Sequence, residues 1–315
     1  MLMWRFRCFP QTSLEEQEFM SRDKVVLAVN VVDNADTLRE FLDWHRAIGV
    51  DFIVAFDSGS TDGSRDIFDE YARSGALSWM SQPRKNIDGF DPFSELARIA
   101  HDRFEADWII VADADEFLCV TGDLHSILQE AKRDEISVLS VPRFNMTGTP
   151  PAPGQNALEV LNLRIDQPLA LSRQERLSGD IKIPQIFAPI RPKTIVLASR
   201  FVEYGAGAHT ATTSSGRTAE RAELRMLHYP FRSFEEFERK VENITVWMAA
   251  NTHLPPSWGW HWRRYIRLRE EGRLKQEFDG QFASLERARQ LIEGGACSVD
   301  DTIASWVRGS LPRRA

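Results

Sequence analysis

Acidic side chains stand at the ends of three apolar segments of the sequence. Asp33 and Asp57 end the first two segments, and Asp113 and Asp115 end the third. Near-continuous β-branched and aromatic segments of this kind are typical of strands buried in a parallel sheet. Ligands of such sheets bind in the crevice outside the carboxyl ends of the strands. The sequence therefore predicts an acidic ligand site at that edge.

The spacing of Asp113 and Asp115 indicates a shared cation. If the chain stays extended, the two carboxylates project to the same side about 7 Å apart. Hard oxygen ligands favour Mg²⁺ or Mn²⁺, which bridge protein carboxylates to phosphates. A crevice lined also by Asp33, Asp57 and Glu116 would repel a diphosphate unless a cation lay between them. An isolated Asp-x-Asp more often caps a helix or solvates a strand end, and this alternative stays open.

Composition bounds the class of protein. The 315 residues are 43% hydrophobic and 27% charged, with a net charge of −7. These values are typical of a globular chain and exclude a long-range attraction to nucleic acid. Cys8, Cys119 and Cys297 form no CxxC pair, which argues against a zinc ribbon or a disulfide framework. Without an apolar run of roughly 20 residues or a signal peptide, we expect a cytoplasmic protein.

Helices and strands alternate through the first third of the chain. Strand patterns cover 25–32, 52–57, 77–80 and 108–113, and helical patterns lie between them. Crossovers of a dozen residues or more imply a doubly wound, mostly parallel sheet. Further strands are expected at 136–142 and 194–199, a loop at 147–156, and helices over 233–251, 263–270, 284–293 and 299–307. We expect an α/β body over 1–230 and a C-terminal helical segment over 231–315.

Two segments resemble a known family. Residues 25–63, with Phe-Asp-Ser-Gly-Ser-Thr-Asp-Gly at 56–63, and residues 108–118, with Asp-Ala-Asp-Glu-Phe at 113–117, are similar to family 2-like glycosyltransferases with the GT-A fold. The subgroup is the one in which Glu-Phe follows the metal-binding Asp-x-Asp. Residues 227–240 resemble the His-Tyr, Ser and Lys pattern that follows the catalytic body in that subgroup.

The resemblance implies transfer of a sugar from a nucleotide-diphosphate donor, with body 1–230 as the catalytic domain. It implies that Asp57 contacts the nucleoside, that Asp113 contacts the ribose or the metal, and that Asp115 binds the metal. Asp33 and Asp62 join the expected donor-binding residues. His209 or His228 could supply the late histidine that the GT-A fold commonly gives to the metal. His45 and His101 are expected to be packed or surface residues of helices.

The acceptor hydroxyl needs a general base if the configuration inverts. Asp180, Glu203 and His209 lie in the region of the sequence from which that base would come, and Asp180 and Glu203 are our candidates. The sequence does not indicate which of them is the base.

The expected function is therefore metal-dependent, inverting transfer from a UDP- or GDP-sugar to a glycan, lipid-linked or protein acceptor. A nucleotidyltransferase is an alternative, although 31–35 lack its glycine- and lysine-rich phosphate loop. A non-catalytic nucleotide-sugar-binding protein is another. The aromatic cluster 258–265 is expected to dock the helical segment onto the body. A lesser alternative is a peripheral membrane contact through Arg263, Arg264, Arg267 and Arg269.

Overall fold

A computed structural model describes residues 22–81, 91–172, 174–175, 183–252 and 259–309. Asp180, Cys8 and Trp258 lie outside these residues. A seven-stranded sheet forms the centre of the described part, in the order β12-β6-β9-β4-β1-β2-β3. Its strands are β1 (Val25–Val31), β2 (Phe52–Asp57), β3 (Leu77–Ser81), β4 (Trp108–Ala112), β6 (Ile136–Val141), β9 (Lys193–Leu197) and β12 (Arg217–Ala219).

Most neighbours in this sheet are parallel. β1 pairs in parallel with β2 and β4, β2 with β3, and β12 with β6, whereas β9 runs antiparallel to both β4 and β6. Helices cover both faces: α1 (Leu38–Ala47), α2 (Ser64–Arg73) and α4 (Leu124–Arg133) pack on one, and α3 (Pro92–Phe104) on the other. The strands are apolar throughout because successive side chains enter opposite cores.

A second, five-stranded sheet was not predicted. Its order is β14-β8-β7-β13-β5, from β5 (Glu116–Val120), β7 (Arg143–Thr147), β8 (Leu163–Ile165), β13 (Leu224–His228) and β14 (Cys297–Val299). β10 (Phe201–Tyr204) and β11 (Ala211–Thr213) form a separate hairpin. These strands are short, so the sequence shows little of the alternation of apolar and polar residues that marks a strand. The strands of the second sheet also pair with partners far along the chain.

The C-terminal segment is helical, as predicted. It contains α5 (Phe234–Ala250), α6 (Trp260–Glu270), α7 (Leu274–Asp279), α8 (Leu285–Glu293) and α9 (Thr302–Val307). The expected helix at 299–307 is shorter, because Cys297–Val299 pairs with β8 as strand β14. The fold is therefore the expected α/β type: a doubly wound, mostly parallel sheet with a helical C-terminal segment.

Aromatic residues of the helical segment pack inward. Tyr265 is buried beside Phe231 and Phe237 in a core of its own, and Trp262 packs against that core. That core also includes strand β8 of the body, so the part of the aromatic cluster that the structure describes packs the helical segment against the body, as expected.

Several arginines of the expected basic face have acidic partners. Arg264 pairs with Glu277 at 2.5 Å, Arg267 lies 3.9 Å from Glu271, and Arg269 pairs with Glu242. Each pair neutralises a charge that an anionic lipid would attract. No helix in the described ranges is both long enough and apolar enough to cross a bilayer.

Candidate active site

The three predicted acidic strand ends lie side by side. β1 stands between β4 and β2 in the central sheet, with Val31 in register with Asp57 and Val29 in register with Ala112. Asp33 and Asp113 therefore follow neighbouring strands at the same edge as Asp57. This edge is the carboxyl end of the parallel strands, where the sequence placed the ligand crevice.

Asp57 and Asp62 shape the loop between β2 and α2. Asp57 is fully buried, and its carboxylate accepts hydrogen bonds from Ser60 N at 3.0 Å and from Arg65 Nε at 2.6 Å. Asp62 accepts from Ala35 N at 2.8 Å, which ties this loop to the one after β1. Both carboxylates thus hold backbone in place, and their expected contact with a nucleotide stays a prediction.

Asp33 connects the loop after β1 to helix α5. Its backbone has a left-handed φ of 53°, a conformation that Asp tolerates better than most residues. The carboxylate accepts a hydrogen bond from Thr61 N at 2.6 Å and another from Asn243 Nδ2 at 2.8 Å. Asp33 therefore links β1, the loop after β2 and a helix that begins two hundred residues later.

Asp113 lies beside a buried ion cluster. Lys193 Nζ, whose side chain is 1% exposed, donates to Asp113 Oδ2 at 2.9 Å and lies 3.3 Å from Glu116 Oε2. Arg143 pairs with the other oxygen of the fully buried Glu116. Burial alone would lower the pKa of Lys193, but the charges of Asp113 and Glu116 raise it above its usual value. The lysine is therefore a permanent cation.

Asp115 is the centre of a second ion cluster. Its Oδ2 accepts from Lys240 Nζ at 2.8 Å, and Arg232 Nη1 lies 3.5 Å from the same oxygen. Arg232 is itself bound by Asp36 at 2.7 Å and by Glu236 at 3.0 Å. Burial alone would raise the pKa of Asp115, but the neighbouring cations Lys240 and Arg232 lower it well below its usual range. Asp115 therefore stays ionised although it is buried.

The other oxygen of Asp115 faces a histidine lone pair. Asn145 Nδ2 donates to Ile186 O at 2.7 Å, which leaves Asn145 Oδ1 to accept from His228 Nδ1, also at 2.7 Å. Burial lowers the pKa of His228 to about 3, so the ring is neutral and Nε2 carries no proton. That bare nitrogen lies 3.7 Å from Asp115 Oδ1.

Two acceptors turned toward each other suit a shared cation. Carboxylate oxygen and neutral imidazole nitrogen are both ligands of divalent metals such as Mn²⁺, whereas neither can donate a hydrogen bond to the other. Asp115 and His228 thus fit a divalent cation. Among the residues that the structure describes, no group of three His, Cys, Asp or Glu side chains is placed to hold one. Any further ligands would have to come from a bound phosphate or from water.

The acids of the crevice already have cationic partners, contrary to our sequence-based argument about charge. Lys193 pairs with Asp113, Lys240 with Asp115, and Arg65 with Asp57. A diphosphate would therefore meet a nearly neutral edge rather than a repulsive one. A metal is therefore indicated by the geometry of Asp115 and His228 and not by net charge.

The remaining predicted residues are dispersed. His209 Nδ1 donates a hydrogen bond to Pro192 O at 2.8 Å, next to Lys193. Burial, together with the charges of Arg143 and Lys193, lowers the pKa of His209 to about 4.

Glu203 is exposed in the β10–β11 hairpin, and no hydrogen bond or ion pair of the described chain joins it to the Asp115 cluster. Asp180 falls outside the described residues. The roles predicted for these three residues stay predictions.

Sequence reasoning did not assign the basic residues of the site. Lys193 begins a strand, Arg143 begins another, and Arg232, Glu236 and Lys240 follow one another at four-residue spacing. The spacing places Glu236 and Lys240 on one face of α5, and Arg232 comes just before that helix begins. That periodicity, within the segment that resembled the family, was the available signal. Nothing in the sequence indicates the pairing of Lys193 with Asp113.

Solved structures show distant likenesses. S. aureus TarS 1-349 in complex with UDP-GlcNAc is 12% identical, with 92% of this chain and 93% of that chain covered and a TM-score of 0.41. Glucosyl-3-phosphoglycerate synthase from Mycobacterium tuberculosis, in complex with Mn²⁺, UDP and glucosyl-3-phosphoglycerate, is 15% identical, with 80% and 88% covered and a TM-score of 0.35. Likenesses this weak carry no argument about donor, metal or acceptor. No curated protein matches the chain.

A family model matches most of the central body and the helix over the site. The sequence segments resembled family 2-like glycosyltransferases, whereas the matching model is that of Glycosyltransferase family 92, over residues 27–248. The match includes both acidic segments, the Lys193 strand, and Arg232 and Lys240. It confirms the expected reaction class and replaces the expected family. The chain is a glycosyltransferase and belongs to glycosyltransferase family 92.

Proposed function

We propose that the chain transfers a sugar from a nucleotide-diphosphate donor, a UDP- or GDP-sugar, to a hydroxyl group of a glycan, lipid-linked or protein acceptor, with inversion. The donor would lie along the carboxyl ends of β1, β2 and β4, with its diphosphate beside Asp115. The observation that carries the proposal is the pair formed by Asp115 Oδ1 and the unprotonated Nε2 of His228, 3.7 Å apart, in a chain of a glycosyltransferase family.

The proposal includes a divalent cation, Mn²⁺ or Mg²⁺, held by Asp115 and His228. Such an ion supplies Lewis-acid stabilisation of the charge that develops on the leaving diphosphate. Asn145 supports this role by fixing the histidine tautomer, and Arg232 by holding Asp115 from the buried side. Groups that hydrogen-bond to metal ligands orient those ligands and tune their basicity.

The chain's own cations support the same reaction. Lys240 and Arg232 lie at Asp115, and Lys193 lies at Asp113. Preorganised positive groups beside a developing negative charge stabilise a transition state without reorganising during the reaction. Asp33 and Asp62 would position the donor through the loops that they brace. Asp180 and Glu203 remain our candidates for the base that deprotonates the acceptor hydroxyl.

Transfer and hydrolysis assays test the proposal. Purified protein is incubated with UDP- and GDP-sugars with Mn²⁺, with Mg²⁺ or with a chelator, and nucleotide diphosphate release is measured. We expect release from one donor class, lost with the chelator. An Asp115→Asn variant should lose at least about a hundredfold in rate. Asp102→Asn, on the exposed surface of α3, is the matched control.

The alternatives give different results. A non-catalytic binder would be stabilised against heat by one nucleotide sugar and Mn²⁺ but would release no product. A nucleotidyltransferase would release pyrophosphate from a nucleoside triphosphate. Full activity of a folded Asp115→Asn variant would remove the metal role, and the anomeric configuration of the product decides between inversion and retention.

A further inference from the structure

Lys240 is the more accessible of the two cations that contact Asp115. Its side chain is 33% exposed, whereas that of Asp115 is 4% exposed. The lysine comes from helix α5, whose neighbouring residues Arg239 and Asn243 reach Asp62 and Asp33. The ammonium group therefore lies between the buried carboxylate and the crevice expected to hold the donor.

The two cations that neutralise Asp115 differ in how firmly they are held. Arg232 is 1% exposed and is bound by Asp36, by Glu236 and by the Tyr229 carbonyl. Among the described residues, Lys240 has Asp115 as its only hydrogen-bonding partner. A lysine stem is flexible and carries a compact charge. Lys240 can therefore leave Asp115 at a lower cost than Arg232.

A divalent cation would be a third positive group on Asp115, because Lys240 and Arg232 already contact its Oδ2. The ammonium occupies Oδ2 at 2.8 Å, and the cation position indicated by His228 is at Oδ1 of the same carboxylate. Positive groups that share one carboxylate repel each other inside a protein, and Arg232 has Asp36 and Glu236 as further anionic partners. Lys240 is therefore the cation that needs another anion nearby, and the donor's diphosphate is such an anion.

We propose that Lys240 changes partner during the reaction cycle. It neutralises Asp115 in the empty enzyme, and it turns to an oxygen of the donor's diphosphate when a divalent cation occupies Asp115 and His228. The inference rests on the proposed function. It makes Lys240 a donor-binding residue, and no bond other than hydrogen bonds and ion pairs forms or breaks in the exchange.

Metal affinity tests the exchange without any turnover. Binding of Mn²⁺ to the full chain is followed by electron paramagnetic resonance, for the unaltered protein and for Lys240→Gln. Because the variant lacks the competing charge, we expect it to bind Mn²⁺ about tenfold more tightly. With Mn²⁺ saturating, we expect it to bind UDP or GDP, whichever nucleotide the unaltered protein binds, about tenfold more weakly. Arg239→Gln removes one charge from the same helix without touching Asp115, and its Mn²⁺ affinity should stay near that of the unaltered protein.

The outcomes separate this inference from the function on which it depends. If the unaltered protein binds no Mn²⁺, the metal site of the proposed function fails and this inference fails with it. If the unaltered protein binds Mn²⁺ and Lys240→Gln binds it equally or more weakly, the metal site stands and the exchange is wrong. A purely structural lysine would give that second result.

A measurement on the unaltered protein covers the case in which the variant does not fold. An amine-reactive label is applied, and the peptide carrying Lys240 is quantified by mass spectrometry against that carrying Lys275, which is 56% exposed. Labelling of Lys240 should rise several-fold when Mn²⁺ is added and fall again when the nucleotide diphosphate follows. Labelling that Mn²⁺ leaves unchanged would overturn the proposal.

Discussion

Asn145 shows how one side chain behind the site decides what His228 can bind. Its Nδ2 donates a hydrogen bond to Ile186 O, and its Oδ1 accepts a hydrogen bond from His228 Nδ1. The other ring nitrogen is left bare toward Asp115. A histidine with the opposite tautomer would present N–H to the carboxylate and would close the position to a cation.

The first prediction concerns this tautomer. Asn145→Leu removes the acceptor for Nδ1–H, so the ring is free to turn or to change tautomer. We expect Mn²⁺ affinity to fall about 10- to 100-fold, the usual cost of losing a partner of a metal ligand. Calorimetric titration with Mn²⁺ measures the change. Asn162→Leu, whose side chain bonds Asp301 at 2.8 Å, serves as the control; equal losses in both variants would contradict the mechanism.

The second prediction concerns Lys193. Lys193→Met removes the 1%-exposed cation that joins Asp113 and Glu116, and leaves the fully buried Glu116 to Arg143. Breaking a buried ion pair from one side costs about 3–5 kcal/mol of unfolding free energy. Urea unfolding measures it. Lys132→Met, which breaks a half-exposed pair with Asp23, should cost less than about 1 kcal/mol.

Helix α5 contacts the acidic edge of the central sheet at several points. Arg239 lies 3.6 Å from Asp62, Lys240 bonds Asp115, and Asn243 bonds Asp33, so one helix touches the loops after three strands. The helix begins at residue 234, just past the expected domain boundary at 230, and this boundary stays a prediction. Functionally, residues from both sides of that boundary meet at Asp115.

The third prediction concerns the start of α5. The Ser233 side chain caps this helix by accepting from Glu236 N at 3.1 Å, and Ser284 caps α8 in the same way through Arg287 N at 3.2 Å. Each Ser→Ala substitution should cost about 1 kcal/mol of stability. Only Ser233→Ala should also slow sugar transfer, by several-fold, because Glu236 and Lys240 depend on the first turns of α5. Equal transfer rates in the two variants would refute this role of the helix.

The sequence was sufficient to predict the strands and helices in which apolar residues recur at regular spacing. The buried strands 25–32, 52–57 and 108–113, the helices between them and the C-terminal helices all appear near their expected positions. The second sheet did not, because its short strands are defined by partners far along the chain. The acids of the site were visible at strand ends. Arg65 lies near Asp57 in the sequence, but the other cations that pair with these acids come from β7, β9 and the segment 232–240. Long-range pairing of charges has no local pattern in a single sequence.

At the scale of the whole molecule, four histidines are held neutral by the fold. Burial lowers the pKa of His45 to about 4, although its hydrogen bond to Phe41 O opposes the shift. Burial also lowers the pKa values of His209 and His261 to about 4 and that of His228 to about 3. His45 Nε2 additionally accepts from Leu118 N at 3.3 Å, which ties α1 to β5.

The fourth prediction follows from these values. Above the unfolded pKa of about 6.5 these histidines are neutral in both states, so they add no pH dependence. As the pH falls from 6.5 toward 4, these histidines bind protons in the unfolded chain but not in the native protein. The free energy of unfolding therefore decreases. Each histidine contributes a slope of up to about 1.4 kcal/mol per pH unit.

Urea unfolding at pH 7.0, 6.0 and 5.0 measures the decrease. His45→Leu should be less stable at pH 7 by about 1–3 kcal/mol, because the Leu118 N–H loses its acceptor. The same variant should lose stability less steeply between pH 6 and pH 5. A slope unchanged by this substitution would exclude His45 as one of the groups responsible.

The hydrogen bond between Asp33 and Asn243 joins residues far apart in the sequence, which has a consequence for folding during translation. When only the part of the chain with β1 to β4 has left the ribosome, Asp33 and Asp115 lack Asn243 and Lys240, which are synthesised later. Affinity for a nucleotide sugar would therefore appear late, and abruptly, once the helix carrying Lys240 emerges. Nascent chains stalled before and after that point should differ in whether they retain the donor.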